Sequence, residues 1–236
     1  MFENISQLEA RLNQILSHPD GYMAQAREAL NVLGQRAQVA TLLRGVLDDP
    51  ELEQQIASRS YTHSNGFDKI VLIDSKEPEY KVRFHVWWPS ESTVYIEDVH
   101  NHSWDFSSVI LTGAFKFQVF QPEDQGVALY HYRKTLLQGN EHSMDYMGQS
   151  KLSCTFDSII ITGCSYMLSR DVLHRVSSID NQVTSTLLIQ GPVVKTASDI
   201  FTDQPDHKAI PIRPFESSEL RQKLQNYLTV VEQNSN

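Results

Sequence analysis

Apolar residues recur at helical spacing through the first quarter of the chain. They fall at Ile5, Leu8, Leu12, Ile15 and Leu16, then at Leu30, Leu33, Ala37, Ala40, Leu43 and Leu47. Asp48-Asp49-Pro50 predicts a stop and a restart, because Pro suits the first turn of a helix, and a short helix follows through Ala57. From Tyr61 the period changes to two. Short, often alternating segments cover residues 69–73, 80–88, 93–100, 108–121, 128–137, 158–162, 165–169, 173–177 and 183–190, with Gly, Pro, Asn and Asp between them. Many short strands at this spacing predict an antiparallel sandwich or barrel, so the chain reads as mainly β. Pro205, Pro211 and Pro214 predict an irregular tail over 195–215. A final amphipathic helix is expected from Ser217 to about Val231, with Leu220, Leu224, Leu228 and Val231 on one face. The organisation predicted is a helical extension over residues 1–60 packed on a barrel over 61–195, then a tail and helix over 196–236.

Composition narrows the function more than the fold. A net charge of -9 with no basic stripe argues against nucleic acid as a partner. No apolar run reaches the roughly 20 residues of a membrane helix, and residues 1–16 lack the basic start and apolar middle of a signal peptide. Cys154 and Cys164 make no disulfide framework. Both fall in β-like runs and are expected to be buried free thiols. A cytoplasmic location follows as the expectation.

The chemistry concentrates in Val99-His-Asn-His-Ser-Trp-Asp-Phe106. Residues two apart in a strand share a face, so His100 and His102 aim at one point while Asn101 faces away. Converging imidazoles suit a divalent metal. The Gly113 turn follows, and His174 arrives later in another strand, after a turn at Gly163, as a third candidate ligand.

These residues resemble the cupin superfamily, whose first motif is His-x-His followed by Glu and Gly and whose second motif supplies a further His. The resemblance implies a cupin barrel (a double-stranded β-helix, or jelly roll) with N-terminal helices and a C-terminal helix. Within the superfamily, the order of short helices, a His-x-His strand and a His-Arg-Val segment is similar to the cysteine dioxygenase type of thiol dioxygenases. The stretch from Asn101 to Phe106 also resembles a group of bacterial cupins carrying His-x-His-x-Trp-Asp-Phe. The resemblance spans about residues 30 to 195. It implies iron(II) at a three-histidine site, with dioxygen and a small polar, possibly thiol-containing molecule as reactants. Zinc, nickel, manganese and copper accept the same ligands.

The departures are specific. The usual cupin Glu is replaced by Phe106 and Ser107, which leaves three neutral ligands. Asp105 reads as a residue that orients a ligand or forms a turn. The Arg that holds substrate carboxylate in the cysteine dioxygenase type matches His63, its cross-linking Cys matches Ser107, and its Tyr matches Gln190 or Gly191. The metal scaffold carries over and cysteine as substrate does not.

On the strand before the histidine pair, Arg83, His85 and Trp87 share one face. If that face lines the barrel, Arg83 is placed to hold an anionic group. Trp104 and Phe106 are candidates to wall the site, while His18, His142 and His207 are expected in helix ends or loops. Two function classes follow: an oxygenase of small molecules, and a non-redox metal-dependent cupin, either an isomerase or lyase or a small-molecule-binding module.

Overall fold

The computed structural model describes residues 2–17, 22–89, 96–137, 142–179, 182–206 and 211–233. Four helices come first: α1 (Ile5–Leu16), α2 (Tyr22–Leu33), α3 (Arg36–Leu47) and α4 (Pro50–Ala57). Their starts are written locally. Asn4 caps α1 by accepting from Gln7 N at 3.0 Å. Asp49 caps α4 by accepting from Glu51 N and Leu52 N at 3.1 Å, with Pro50 as the first helical residue. The apolar run over 30–47 is broken at Gly34, so the buried face of α3 is Val39, Leu42, Leu43 and Val46, and Ala37 is exposed.

Eleven strands follow: β1 (Tyr61–Thr62), β2 (Asp68–Lys76), β3 (Glu79–Trp87), β4 (Val99–His100), β5 (Phe106–Thr112), β6 (Ala114–Leu136), β7 (His142–Ile161), β8 (Ser165–Leu168), β9 (Leu173–Ser178), β10 (Thr184–Gln190) and β11 (Ala197–Thr202). They form a six-stranded sheet of order β1-β2-β3-β10-β5-β8 and a five-stranded sheet of order β11-β4-β9-β6-β7. All pairings are antiparallel. From β3 to β10 the chain passes repeatedly between the two sheets, with only β6 and β7 staying together as neighbours in the five-stranded one, and β10 lies between β3 and β5. That is the winding of a jelly roll, so the fold is a mainly β cupin-type barrel with helices before and after it.

The crossing between sheets is clearest at Gly113, between β5 and β6. Its φ of 70° lies in the left-handed region, and a Cβ there would meet Val183 O at 2.8 Å. Thr184 donates to Ala114 O at 2.9 Å across the same corner.

The inner strands of the six-stranded sheet are buried on both faces. Ile70 and Leu72 of β2, Val82, Phe84 and Val86 of β3, Val109 and Leu111 of β5, and Leu187 and Ile189 of β10 pack in one core with the helices. Their strand neighbours Trp87, Phe106, Ile110 and Leu188 belong to a second core inside the barrel. The C-terminal helix α5 (Ser217–Gln233) closes over the outer face. Tyr227 meets Phe84 edge-on at 4.7 Å and its hydroxyl bonds Ser185 at 2.9 Å. Lys223 donates to buried Asp68 at 2.9 Å, and Arg221 pairs with buried Glu53.

Four expectations are corrected. The irregular tail over 195–215 contains β11, which pairs β4 and β6. Asp199 fastens it by accepting from His131 at 2.9 Å, while Asn101 Oδ1 accepts from Asp199 N at 2.7 Å. Residues 114–136 and 142–161 pair along their length as β6 and β7, which run far beyond the predicted segments. His142 begins β7 instead of lying in a loop. Cys154 and Cys164 are exposed, because β7 borders its sheet and Cys164 sits at the Gly163 turn. His18, His207 and residues 93–95 lie outside the described residues.

Helix α2 ends directly on β5. A Cβ on Gly34 would lie 2.6 Å from Val109 Cγ1 and 2.5 Å from Leu30 O. Gly34→Ala is therefore expected to destabilise by about 1–3 kcal/mol through overpacking. Urea denaturation reads this, and wild-type stability in the variant contradicts the seating of α2 on Val109.

Candidate metal centre

Three elements bring the histidines together. His100 ends β4 and stands directly opposite His174 of β9, with ring centroids 4.6 Å apart. His102 lies beyond the end of β4. It is held by its own N–H, which donates to Arg170 O at 3.1 Å, and Asn101 N–H donates to Asp199 O at 3.1 Å. Its ring centroid is 4.9 Å from that of His100 and 5.0 Å from that of His174. The ligand atoms of the three all lie within 4.8 Å of one another.

Backbone carbonyls orient two of the rings. His100 Nδ1 bonds Asp98 O at 2.9 Å and His174 Nδ1 bonds Val172 O at 3.0 Å. A carbonyl only accepts, so each Nδ1 carries a proton and Nε2 is the nitrogen left to face a metal. Burial, reinforced by the charge that His100 would carry, lowers His174 to about 3. Burial also takes His102 well below the ordinary histidine value, with His100, His174, Arg83 and Lys69 adding to the effect. Three imidazole nitrogen donors fit a borderline divalent ion. His100 and His102 are half-buried and His174 is buried, so the cluster opens on one side.

Aromatic rings wall the cluster. Trp104 stacks on His102 at 4.1 Å, Phe106 meets the same ring edge-on at 5.3 Å, and Phe117 stacks on His174 at 5.8 Å. Asp105 is turned away and serves as a clamp. Its carboxylate accepts from Arg170 N at 2.7 Å and from Arg170 Nη1 at 2.9 Å, and its own carbonyl accepts from Gly191 N at 2.8 Å. The loop carrying His102 is thereby fixed to the turn that leads into His174.

The inner face of the six-stranded sheet supplies the remaining polar groups. Arg83 and His85 are buried on that face beside Trp87, and Arg83 Cζ lies 4.7 Å from the Trp104 ring centre. His63 stacks on Phe67 at 4.7 Å, and Phe67 packs on His85 at 4.8 Å. Burial and the neighbouring cations hold His63 and His85 well below the ordinary histidine value. Gln190 shares the inner face with Leu188, opposite Phe106. Ser107 does not join them. It shares strand parity with Val109 and Leu111, which face the helices, so the match to a cross-linking cysteine does not bring it to the site.

Three interior groups escaped the sequence reading. Lys69 pairs in register with His85 and so lies on the inner face. Glu97 is buried; its carboxylate accepts from Val176 N at 3.2 Å, and burial raises it above the usual carboxylate range against the opposing pull of His100. Tyr166 packs on Phe117 at 5.2 Å, and burial raises its hydroxyl. Lys69 was readable from its period-two spacing to Val71, whereas Glu97 and Tyr166 carried no motif.

Two outcomes are expected. His63, His85, His102 and His174 all sit below the unfolded histidine value of 6.5, so the unfolded chain binds protons that the metal-free fold does not. Metal-free stability should therefore fall as pH drops below 6.5, by up to about 1.4 kcal/mol per pH unit for each histidine. Denaturant midpoints that stay flat between pH 7 and 5.5 contradict this. Asp105→Ala frees the His102 loop and is expected to weaken zinc binding about 10–100-fold with the fold retained, read by competition with a chromogenic chelator.

No family model matches the chain, and no curated protein matches it. Solved structures do. An oxalate decarboxylase of Lactobacillus farciminis in complex with formate aligns at 11% identity and TM-score 0.35, over 56% of this chain and 30% of that one. A recombinant oxalate oxidase in complex with glycolate aligns at 8% identity and TM-score 0.35, over 58% of this chain and 56% of that one. KdgF from Halomonas sp. aligns at 9% identity and TM-score 0.33, over 56% of this chain and 86% of that one. The aligned part thus spans less than two thirds of the first two proteins. The strand order, with three histidines converging inside it, is what makes the chain a cupin-type barrel with a candidate metal centre.

Proposed function

We propose that the protein is a mononuclear metal-dependent enzyme of the cupin type, with iron(II) at His100, His102 and His174, that oxidises a small polar molecule with dioxygen in a reducing compartment. The observation that carries this reading is the convergence of three imidazoles, with no carboxylate among the ligand atoms of the described residues. Neutral donors leave a bound ion its full charge, and such an ion supplies Lewis acidity and, for iron, electron transfer toward dioxygen. The resemblance to thiol dioxygenases favours iron over zinc, nickel, manganese or copper.

The chain's own residues define the rest. Trp104, Phe106 and Phe117 shield the cluster from water on the barrel side. The half-buried faces of His100 and His102 give a small molecule access. His63 offers a neutral imidazole whose Nδ1 accepts from Asn65 N at 3.2 Å, where the thiol dioxygenases carry a guanidinium. Free cysteine is therefore expected to be a poor substrate.

A second reading, a non-redox isomerase or lyase, is favoured by Glu97. A buried carboxyl whose protonated form is favoured by burial, within electrostatic reach of His100, is suited to moving a proton.

Protein purified after anaerobic expression is expected to carry iron near one equivalent. His100→Ala, His102→Ala and His174→Ala should each lose most of it, because two imidazoles hold a divalent ion weakly. Elemental analysis tests both points, and near-stoichiometric metal in all three variants refutes the site. Oxygen-electrode screening against thiols and small acids separates the two readings. Turnover without oxygen uptake supports the proton-transfer reading.

A further inference from the structure

Arg83 and Lys69 are two cations of the barrel interior that the metal centre does not employ. Arg83 is 7% exposed, and its Nε has no hydrogen-bond partner among the described residues. Its Cζ stands over the Trp104 ring, 4.7 Å from the ring centre. Lys69 is its diagonal neighbour on the inner face, since Lys69 pairs with His85 and Val71 pairs with Arg83. Lys69 Nζ donates to the Tyr61 hydroxyl at 3.0 Å. Between them His85, 8% exposed, has its Nε2 buried without a partner among the described residues.

The charge in this corner is unbalanced. Arg83 and Lys69 each lower the charged form of the other's neighbour His85, and Arg83 also acts on Lys69. Asp74, the carboxylate that acts on Arg83, is already paired with Lys76 and Lys81 at 3.1 Å. Burial and the Arg83 charge hold Lys69 well below the ordinary lysine value, so an anion between the two groups would favour the charged form of both. The site is tied to the metal centre by one ring, because Trp104 lies under Arg83 and stacks on His102 at 4.1 Å.

We propose that Arg83 and Lys69 bind a carboxylate carried by the substrate, so that the molecule processed at the histidine cluster is a small organic acid. The planar guanidinium edge offers two parallel N–H donors, which match the two oxygens of a carboxylate, and the lysine adds a third donor at an angle to them. This rests on the proposed metal-dependent activity for its meaning, but the binding step requires no metal. The corner is built from β2 and β3, away from the strands that carry the histidines.

The test uses propionate, its neutral amide propionamide and ethylphosphonate as probes on the full chain. Binding is read by calorimetry and by Trp fluorescence, in metal-free protein and in protein loaded with zinc. The expected result is propionate binding in both forms, with propionamide at least tenfold weaker. Arg83→Gln and Lys69→Met should each weaken propionate at least tenfold, and Arg83→Lys should recover part of the loss. Retained zinc binding in these variants shows that they fold. Equal affinity for propionate and propionamide, or undiminished binding in both Arg83→Gln and Lys69→Met, overturns the proposal. Tighter binding of ethylphosphonate than of propionate overturns the carboxylate assignment. Propionate binding in protein that takes up no metal supports the anion site while refuting the metal centre, so the two failures are separable.

Discussion

Everything in this molecule that concerns the site depends on the period-two alternation of the six-stranded sheet. Strands β3 and β10 lie at its centre and are buried along both faces. Val82, Phe84, Val86, Leu187 and Ile189 meet the helices, so their neighbours Arg83, His85, Trp87, Thr186, Leu188 and Gln190 must enter the barrel. A one-residue slip would exchange the two sets and drive a guanidinium and an imidazole into the helical core. The apolar face therefore fixes the register, and the register delivers the polar face to the interior. The helices before and after the barrel have a role here beyond covering a surface. They supply the apolar side that makes the alternation unambiguous.

The metal cluster is a cross-sheet product of the same kind. Backbone pairing sets His100 against His174, while His102 lies past the end of its strand and is located by hydrogen bonds. The Asp105–Arg170 pair holds two turns 65 residues apart in the sequence. Both partners are partly exposed, so their value lies less in stability than in geometry. Burial then does the electrostatic work. It disfavours protonation of His102 and His174 and leaves lone pairs ready at neutral pH.

The helices at both ends, most of the barrel strands and the three histidines were legible because each is a local pattern. Amphipathic spacing, Asp48-Asp49-Pro50 at a helix start, Gly113 at a corner and His-x-His on one side of an extended segment all act within a few residues. What escaped is equally specific. The strand Ala197–Thr202 sits among prolines and has adjacent apolar residues at Ile200 and Phe201, so its pairing with β6 and β4 has no local signature. The long pairing of β6 with β7 was missed because β7 is largely exposed on both faces and carries no alternation to read. The exposure of Cys154 follows from that same edge position.

The sequence by itself determined the class of fold and the identity of the candidate ligands, since periodicity and ligand chemistry belong to short stretches of chain. It also determined that Arg83, His85 and Trp87 point the same way. Only the tertiary structure decided which way that is, because both faces of β3 are covered and the sequence does not say which cover is helix and which is barrel. The same ambiguity turned Ser107 away from the site and brought Lys69, Glu97 and Tyr166 into it. Facing is a property of what a strand packs against, and those partners come from distant parts of the chain.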